Sequence, residues 1–235
     1  MKILAFDSTA KTASVAVTED ECLLGLYNIE NGLTQSELLL PMAEDLLRSL
    51  KISFKDIELL AVTAGPGSFT GVRIGISLVK GIAFSNNIPC ASVSTLEALM
   101  QNISSLHGIL VPVMDARRNQ VYNAIFRSDE SGVARLTEDR AISIEELADE
   151  LKNYSGEPIY LSGDGYKIAK AKLSELGIKT LDTPKLLINQ NAYSTALVAA
   201  KKYKNGEIIS DTEISPVYLR LPQAERERLE KEGNK

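Results

Sequence analysis

Residues 58–86 read ELLAVTAGPGSFTGVRIGISLVKGIAFSN: an apolar run, a glycine-rich turn and a long helical pattern. Glu58 to Ala64 is short, apolar and bounded by a turn, which suits a strand buried on both faces better than a helix. Gly65-Pro66-Gly67-Ser68-Phe69-Thr70-Gly71 then breaks the chain. So much glycine and proline implies a backbone position with positive φ or a very close approach. A helix is predicted from Val72, and its apolar residues fill an arc of about 200°, wider than one core-facing stripe requires. Ile74, Leu78 and Ile82 form one stripe, and Val72, Ile76, Val79 and Ala83 a second, with Arg73 and Lys80 on the polar side. One stripe can bury on a sheet; the other calls for a further helix, from this chain or from a partner.

Upstream, Lys2 to Asp7, Thr12 to Thr18 and Leu23 to Asn28 predict a meander of three strands. Thr34-Gln35-Ser36-Glu37 has capping-box spacing and opens a leucine-rich helix ending near Lys51, with Pro41 predicted to kink its second turn. Its apolar face, which includes Leu39, Ala43 and Leu46, is again broad. Downstream come a strand from Pro89 to Val93 and a helix from Ser94 to about Ser105. The pattern then restarts. Ile109 to Asp115 ends in an aspartate as Ile3 to Asp7 does, and β-like runs follow at Val121 to Arg127 and Val133 to Thr137. Ser143-Ile144-Glu145-Glu146 caps a helix to about Asn153. Ile159 to Ser162 precedes Gly163-Asp164-Gly165 and a helix from Tyr166 to Leu176. The second set lies about 100 residues after the first, which predicts an internal duplication of strand-strand-strand-helix-strand-helix type. A last helix from Ala192 to Asn205, a β-like run from Ile214 to Leu219 and a charged tail at 222–235 complete the chain. The fold class expected is α/β, in two related subdomains at 1–105 and 106–221.

With 235 residues, 44% of them hydrophobic and 24% charged, the chain can build a sizeable core. A net charge of −5 argues against a protein that grips nucleic acid through a broad basic surface. Cys22 and Cys90 are far apart, and an aspartate at position 7 interrupts any leader-like apolar run. A soluble, reducing, cytoplasmic setting is expected, with no membrane span.

His107 is the single histidine, so zinc-protease motifs and paired-histidine metal sites are excluded within one chain. Gly67-Ser68-Phe69-Thr70-Gly71 has the wrong spacing for a nucleophile elbow. Gly65 to Gly71 has the ingredients of a phosphate cradle but lacks a Walker lysine; glycines that let the helix pack tightly account for it equally well. Asp7 and Asp115 end equivalent strands, where an Mg-nucleotide ATPase or small-molecule kinase would place carboxylates. Against that, Asp7-Ser8-Thr9-Ala10 has no glycine, and Arg117 and Arg118 bring cations to the second position.

Ile3-Leu4-Ala5-Phe6-Asp7-Ser8-Thr9, Ala64 to Gly75, Val93-Ser94-Thr95-Leu96, Asp115-Ala116-Arg117 and Pro216-Val217-Tyr218-Leu219-Arg220 together resemble the bacterial TsaB family. This family serves the tRNA threonylcarbamoyladenosine machinery. The resemblance spans almost the whole chain; Gln35 departs from it where a histidine is expected. It implies duplicated actin-like (ribonuclease H-like) subdomains, each a mixed sheet with flanking helices. It also implies a non-catalytic subunit that binds the catalytic TsaD, with the ATPase TsaE joining the complex and tRNA contacted indirectly. Neither catalytic residues nor a metal or cofactor is then expected, and the glycoprotease label once given to related sequences has no support in the residues. With Gly65, Gly67 and Gly71 as a structural turn, the partner surface is expected at Leu39, Ala43, Leu46, Val72, Gly75, Ile76, Val79 and Ala83. A second copy of the chain could fill the same surface.

Overall fold

The computed structural model describes residues 1–220, so the tail predicted at 222–235 lies outside the described residues. The first sheet contains β1 (Lys2–Asp7), β2 (Ala13–Glu19), β3 (Cys22–Ile29), β4 (Leu59–Gly65) and β5 (Cys90–Ser94), in the order β3-β2-β1-β4-β5. β1 to β3 form an antiparallel meander; β4 runs parallel to β1, and β5 to β4. Every residue of β4 is buried, as a central strand covered on both faces must be.

One face of this sheet is covered by α1 (Gln35–Leu50) and α2 (Phe69–Asn86). The backbone amide and hydroxyl of Thr34 both donate to the Glu37 carboxylate, and α1 continues through the exposed Pro41 to a left-handed stop at Lys51. α2 begins at Phe69, before the Val72 predicted, because the Ser68 hydroxyl accepts the Gly71 amide at 3.2 Å and caps an earlier turn.

The second sheet holds β6 (Gly108–Arg117), β7 (Gln120–Asn123), β8 (Phe126–Asp129), β9 (Gly132–Arg135), β10 (Arg140–Ser143) and β11 (Ile159–Ser162). β7 and β8 are the single run predicted at Val121 to Arg127, split in two. They share one register against β6, with Val113 opposite Asn123 and Leu110 opposite Phe126. The ladder lapses between them, where Pro112 has no amide to donate, and the Ile125 amide turns to the Thr137 hydroxyl at 2.8 Å. β6 pairs antiparallel with β7 and β8 and parallel with β11, as β1 does with β2 and β4. With α4 (Ile144–Leu151) and α5 (Tyr166–Glu175) in the places of α1 and α2, the duplication is complete.

The remaining helices cross over between the halves. α3 (Thr95–Asn102) packs Leu96, Leu99 and Met100 against Leu110, Met114 and Phe126 of the second sheet. α6 (Ala192–Lys204) packs its alanines on Ile3, Ala5 and Ala61 of the first.

This packing corrects the partner surface expected above. Leu39, Ala43, Leu46, Val72, Ile76, Val79 and Ala83 are all at most 4% exposed and belong to the chain's own core, and Gly75 is buried with them. The second stripe of α2 needs no partner because α1 and the sheet already cover it. A Cβ at Gly75 would run into the Ser8 hydroxyl, so this glycine admits the chain's own loop rather than a foreign helix. The stripe left half-exposed is that of Ile74 and Leu78.

Two alanine substitutions in α2 are expected to move stability in opposite directions. Gly71→Ala drives a methyl into the Ser8 carbonyl oxygen and should lower stability by about 2 kcal/mol or more. Gly81→Ala meets no neighbouring atom and should raise it by roughly 0.5 to 1 kcal/mol. Urea unfolding of the two variants measures both effects.

Candidate functional site

The carboxyl ends of β1 and β6 face a cleft of about 1630 Å³ between the two halves. Its first wall is the turn after β1. Asp7 is fully buried, and its Oδ1 accepts the Thr9 amide at 2.9 Å and the Thr9 hydroxyl at 2.7 Å, while its Oδ2 has no hydrogen-bond partner in the structure. Burial pushes its carboxyl up to about 6; the Thr9 bonds and the Thr63 hydroxyl oppose this, and the charge of Asp164 adds to it.

Asp115 holds the equivalent place on β6 and accepts the Arg117 amide at 2.7 Å, closing the same kind of turn. Asp164, which the sequence reading mentioned only within a glycine turn, accepts the Asp115 amide at 3.2 Å. It opens on the cleft, yet crowding by protein and then the Asp115 charge hold its carboxyl above the usual range. The signal that could have singled it out was its place in the second repeat, where Gly163-Asp164-Gly165 answers Gly65-Pro66-Gly67. Among the described residues, no group of three or more His, Cys, Asp or Glu could hold a metal ion.

The glycine-rich turn is occupied by the chain itself. A Cβ at Gly67 would lie 2.5 Å from the Thr9 carbonyl oxygen, and one at Gly65, where φ is +117°, 2.5 Å from that of Val217. The Ser68 amide donates to the Thr9 carbonyl at 2.7 Å, and the Ser8 hydroxyl donates to the Gly71 carbonyl at 2.8 Å. Ser8 and Thr9 therefore pack against the amino end of α2, and the Thr9 carbonyl takes one of the amides that a phosphate cradle would use. Behind the turn, the Val217 amide donates to the Ala64 carbonyl at 2.8 Å, and Arg220 reaches the Ala116 carbonyl at 2.6 Å. The run predicted as a strand at Ile214 to Leu219 is thus a strap joining both halves.

On the outer side of α1 and α2, a groove of about 550 Å³ is lined by Leu39, Leu40, Ile74 and Leu78 among others. At its end Phe69 stacks on Tyr218 with centroids 5.1 Å apart. The Arg73 guanidinium lies 3.9 Å over Phe69 and donates to the Tyr218 hydroxyl at 2.7 Å. Gln35 and Phe69 border both groove and cleft, and the Gln35 side chain donates to the Ala10 carbonyl at 2.8 Å.

A family model described as TsaD, tRNA N6-adenosine threonylcarbamoyltransferase, matches residues 34–227. The tRNA threonylcarbamoyladenosine biosynthesis protein TsaB of Escherichia coli is 33% identical, covering 94% of this chain and 95% of its own. The chain belongs to the TsaB family. The Bacillus subtilis TsaB is 29% identical over 98% of this chain and 99% of its own. Among solved structures, YeaZ from Pseudomonas aeruginosa aligns with a TM-score of 0.77 at 23% identity, covering 93% of this chain and 99% of that one. The Clostridium difficile activator of 2-hydroxyisocaproyl-CoA dehydratase, solved with bound ADPNP, aligns at 0.50 and 12% identity, covering 93% and 100%. The TsaB-family chain therefore has an actin-like, ribonuclease H-like fold. No helix among its described residues is long and apolar enough to cross a membrane.

Asp7 gives a pH signature. Between the ordinary value of 3.8 and about 6, the folded protein holds a proton that the unfolded chain has lost, so stability falls as pH rises through that window and then levels off. Asp7→Asn removes the buried charge and is expected to stabilise the protein by up to about 3 kcal/mol above the window, with the difference vanishing below it. Urea unfolding of both proteins across that pH range checks the sign.

Proposed function

We propose that this chain is the non-catalytic partner subunit of the assembly that places a threonylcarbamoyl group on the adenosine next to the tRNA anticodon. It binds and supports the catalytic TsaD subunit, and TsaE joins through the complex. It works in the cytoplasm, and its halves at 1–105 and 106–221 act as one scaffold. The observation that carries this reading is the pairing of an open apolar groove on α1–α2 with a glycine-rich turn packed tightly against Ser8 and Thr9. The groove offers an apolar surface on which a partner can dock, and the chain's own Thr9 carbonyl uses one amide of the would-be anion seat at α2. The docking residues are Leu40, Ile74 and Leu78, which replace the buried set first expected.

Leu40 is 38% exposed, and Leu78 is half-buried at the other wall of the groove. Burying a leucine is worth roughly 1.5 to 3 kcal/mol, and a buried unpaired carboxylate opposes association further. Leu40→Glu and Leu78→Glu should each weaken binding to a TsaD homologue by at least about 100-fold while the monomer keeps its circular dichroism melt. Calorimetric titration of the two purified subunits measures this. Undiminished affinity in both variants would remove the groove as the docking surface.

A further inference from the structure

The cleft carries a charge pattern that the chain as a whole lacks. The protein is acidic, with a net charge of −5, yet Lys11, Arg117, Lys167, Lys170, Lys185 and Arg220 all line this one cavity. The carboxylates among its lining are fewer: Glu30, Asp115, Asp164 and Asp182. Two of these have cations of their own, since Lys170 pairs with Asp182 and Arg117 lies 3.5 Å from Asp115. Lys11, Lys167 and Lys185 are exposed and form no ion pair among the described residues.

These three free cations come from separate places: Lys11 from the β1–β2 turn, Lys167 from the first turn of α5 and Lys185 from the short 3-10 turn at Lys185–Leu187. They therefore border the cavity from both halves. Arg117, Arg118 and Asn119 follow one another with φ of +67°, +56° and +58° at the β6–β7 hairpin. Such a backbone is uncommon outside glycine, and it sets Arg117 on the cleft wall. Aromatic rings share the wall, with Phe69 37% and Tyr218 40% exposed.

At about 1630 Å³ the cleft exceeds the roughly 300 to 1,000 Å³ of an ordinary small-molecule site, so it fits an extended ligand better than a compact one. Lysines without an ion pair among the described residues, lining one cavity with the partly exposed Phe69–Tyr218 stack, are the chemistry that holds a sugar-phosphate backbone and lets an unpaired base extend the stack. We propose that the interdomain cleft is a binding site for single-stranded RNA, such as the unpaired nucleotides of a tRNA loop. This deepens the proposed function by giving the accessory subunit a direct contact with the RNA that the complex modifies.

The test uses the full chain alone, so its outcome does not depend on whether the α1–α2 groove docks a catalytic subunit. A fluorescently labelled single-stranded oligoribonucleotide is titrated and anisotropy read at several salt concentrations. Saturable binding is expected, with a log–log salt slope near −2 if about three phosphates are neutralised. Lys167→Glu should weaken binding at least tenfold and flatten that slope. Lys55→Glu, the same charge change on an exposed lysine outside the cleft, should weaken it far less. Tyr218→Ala should weaken binding while leaving the slope unchanged, as loss of stacking rather than of charge. The proposal is overturned if no binding appears at low salt, if Lys55→Glu and Lys167→Glu act alike, or if a polyglutamate peptide displaces the RNA at equal charge concentration.

Discussion

The structure depends on one close contact: the Ser8–Thr9 turn seated on the amino end of α2. Gly67, Gly71 and Gly75 give it room, since a side chain at any of them would strike Ser8 or Thr9. The Thr9 carbonyl answers the Ser68 amide, which would otherwise be orphaned at a helix start, and the Ser8 hydroxyl adds a bond to the Gly71 carbonyl. The same contact locks α2 against the β1 end of the sheet and fixes Asp7 through both Thr9 bonds. A turn with the composition of an anion site has become a joint.

From that joint the two halves are tied together by exchange. α3 leaves the first half to pack on the second sheet, and α6 returns from the second half to cover the first. The terminal strap adds a further link through Ala64 and Ala116. With both sheets so clamped, the cleft between the halves and the groove outside α1–α2 stay open among the described residues. Gln35 and Phe69 border both, so a ligand in one lies next to the other.

Much of this was legible in the sequence because local chemistry encodes it. The capping residues Thr34, Ser94 and Ser143 each head the helix predicted from them, and the repeated aspartate-ended strands mark the duplication. The split of the Val121 to Arg127 run was written in Pro112, but on the opposite strand, where a one-dimensional pattern does not show it. The partner surface misled for a related reason. Helical spacing says how wide an apolar arc is, not which neighbour covers each part; α1 and α2 cover one another's broad faces, so the residues that looked surplus are core. Asp164 escaped because its importance lies in its distance to Asp115, which only folding creates.

If the glycine-rich turn is a packing joint, the isolated chain has no phosphate seat at α2. Calorimetric titration of the purified protein with Mg-ATP and with Mg-ADP tests this most directly. The account predicts no stoichiometric binding of either nucleotide that depends on Asp7. Stoichiometric binding that is lost in Asp7→Ala would contradict it, and would return the turn to the role of a nucleotide cradle.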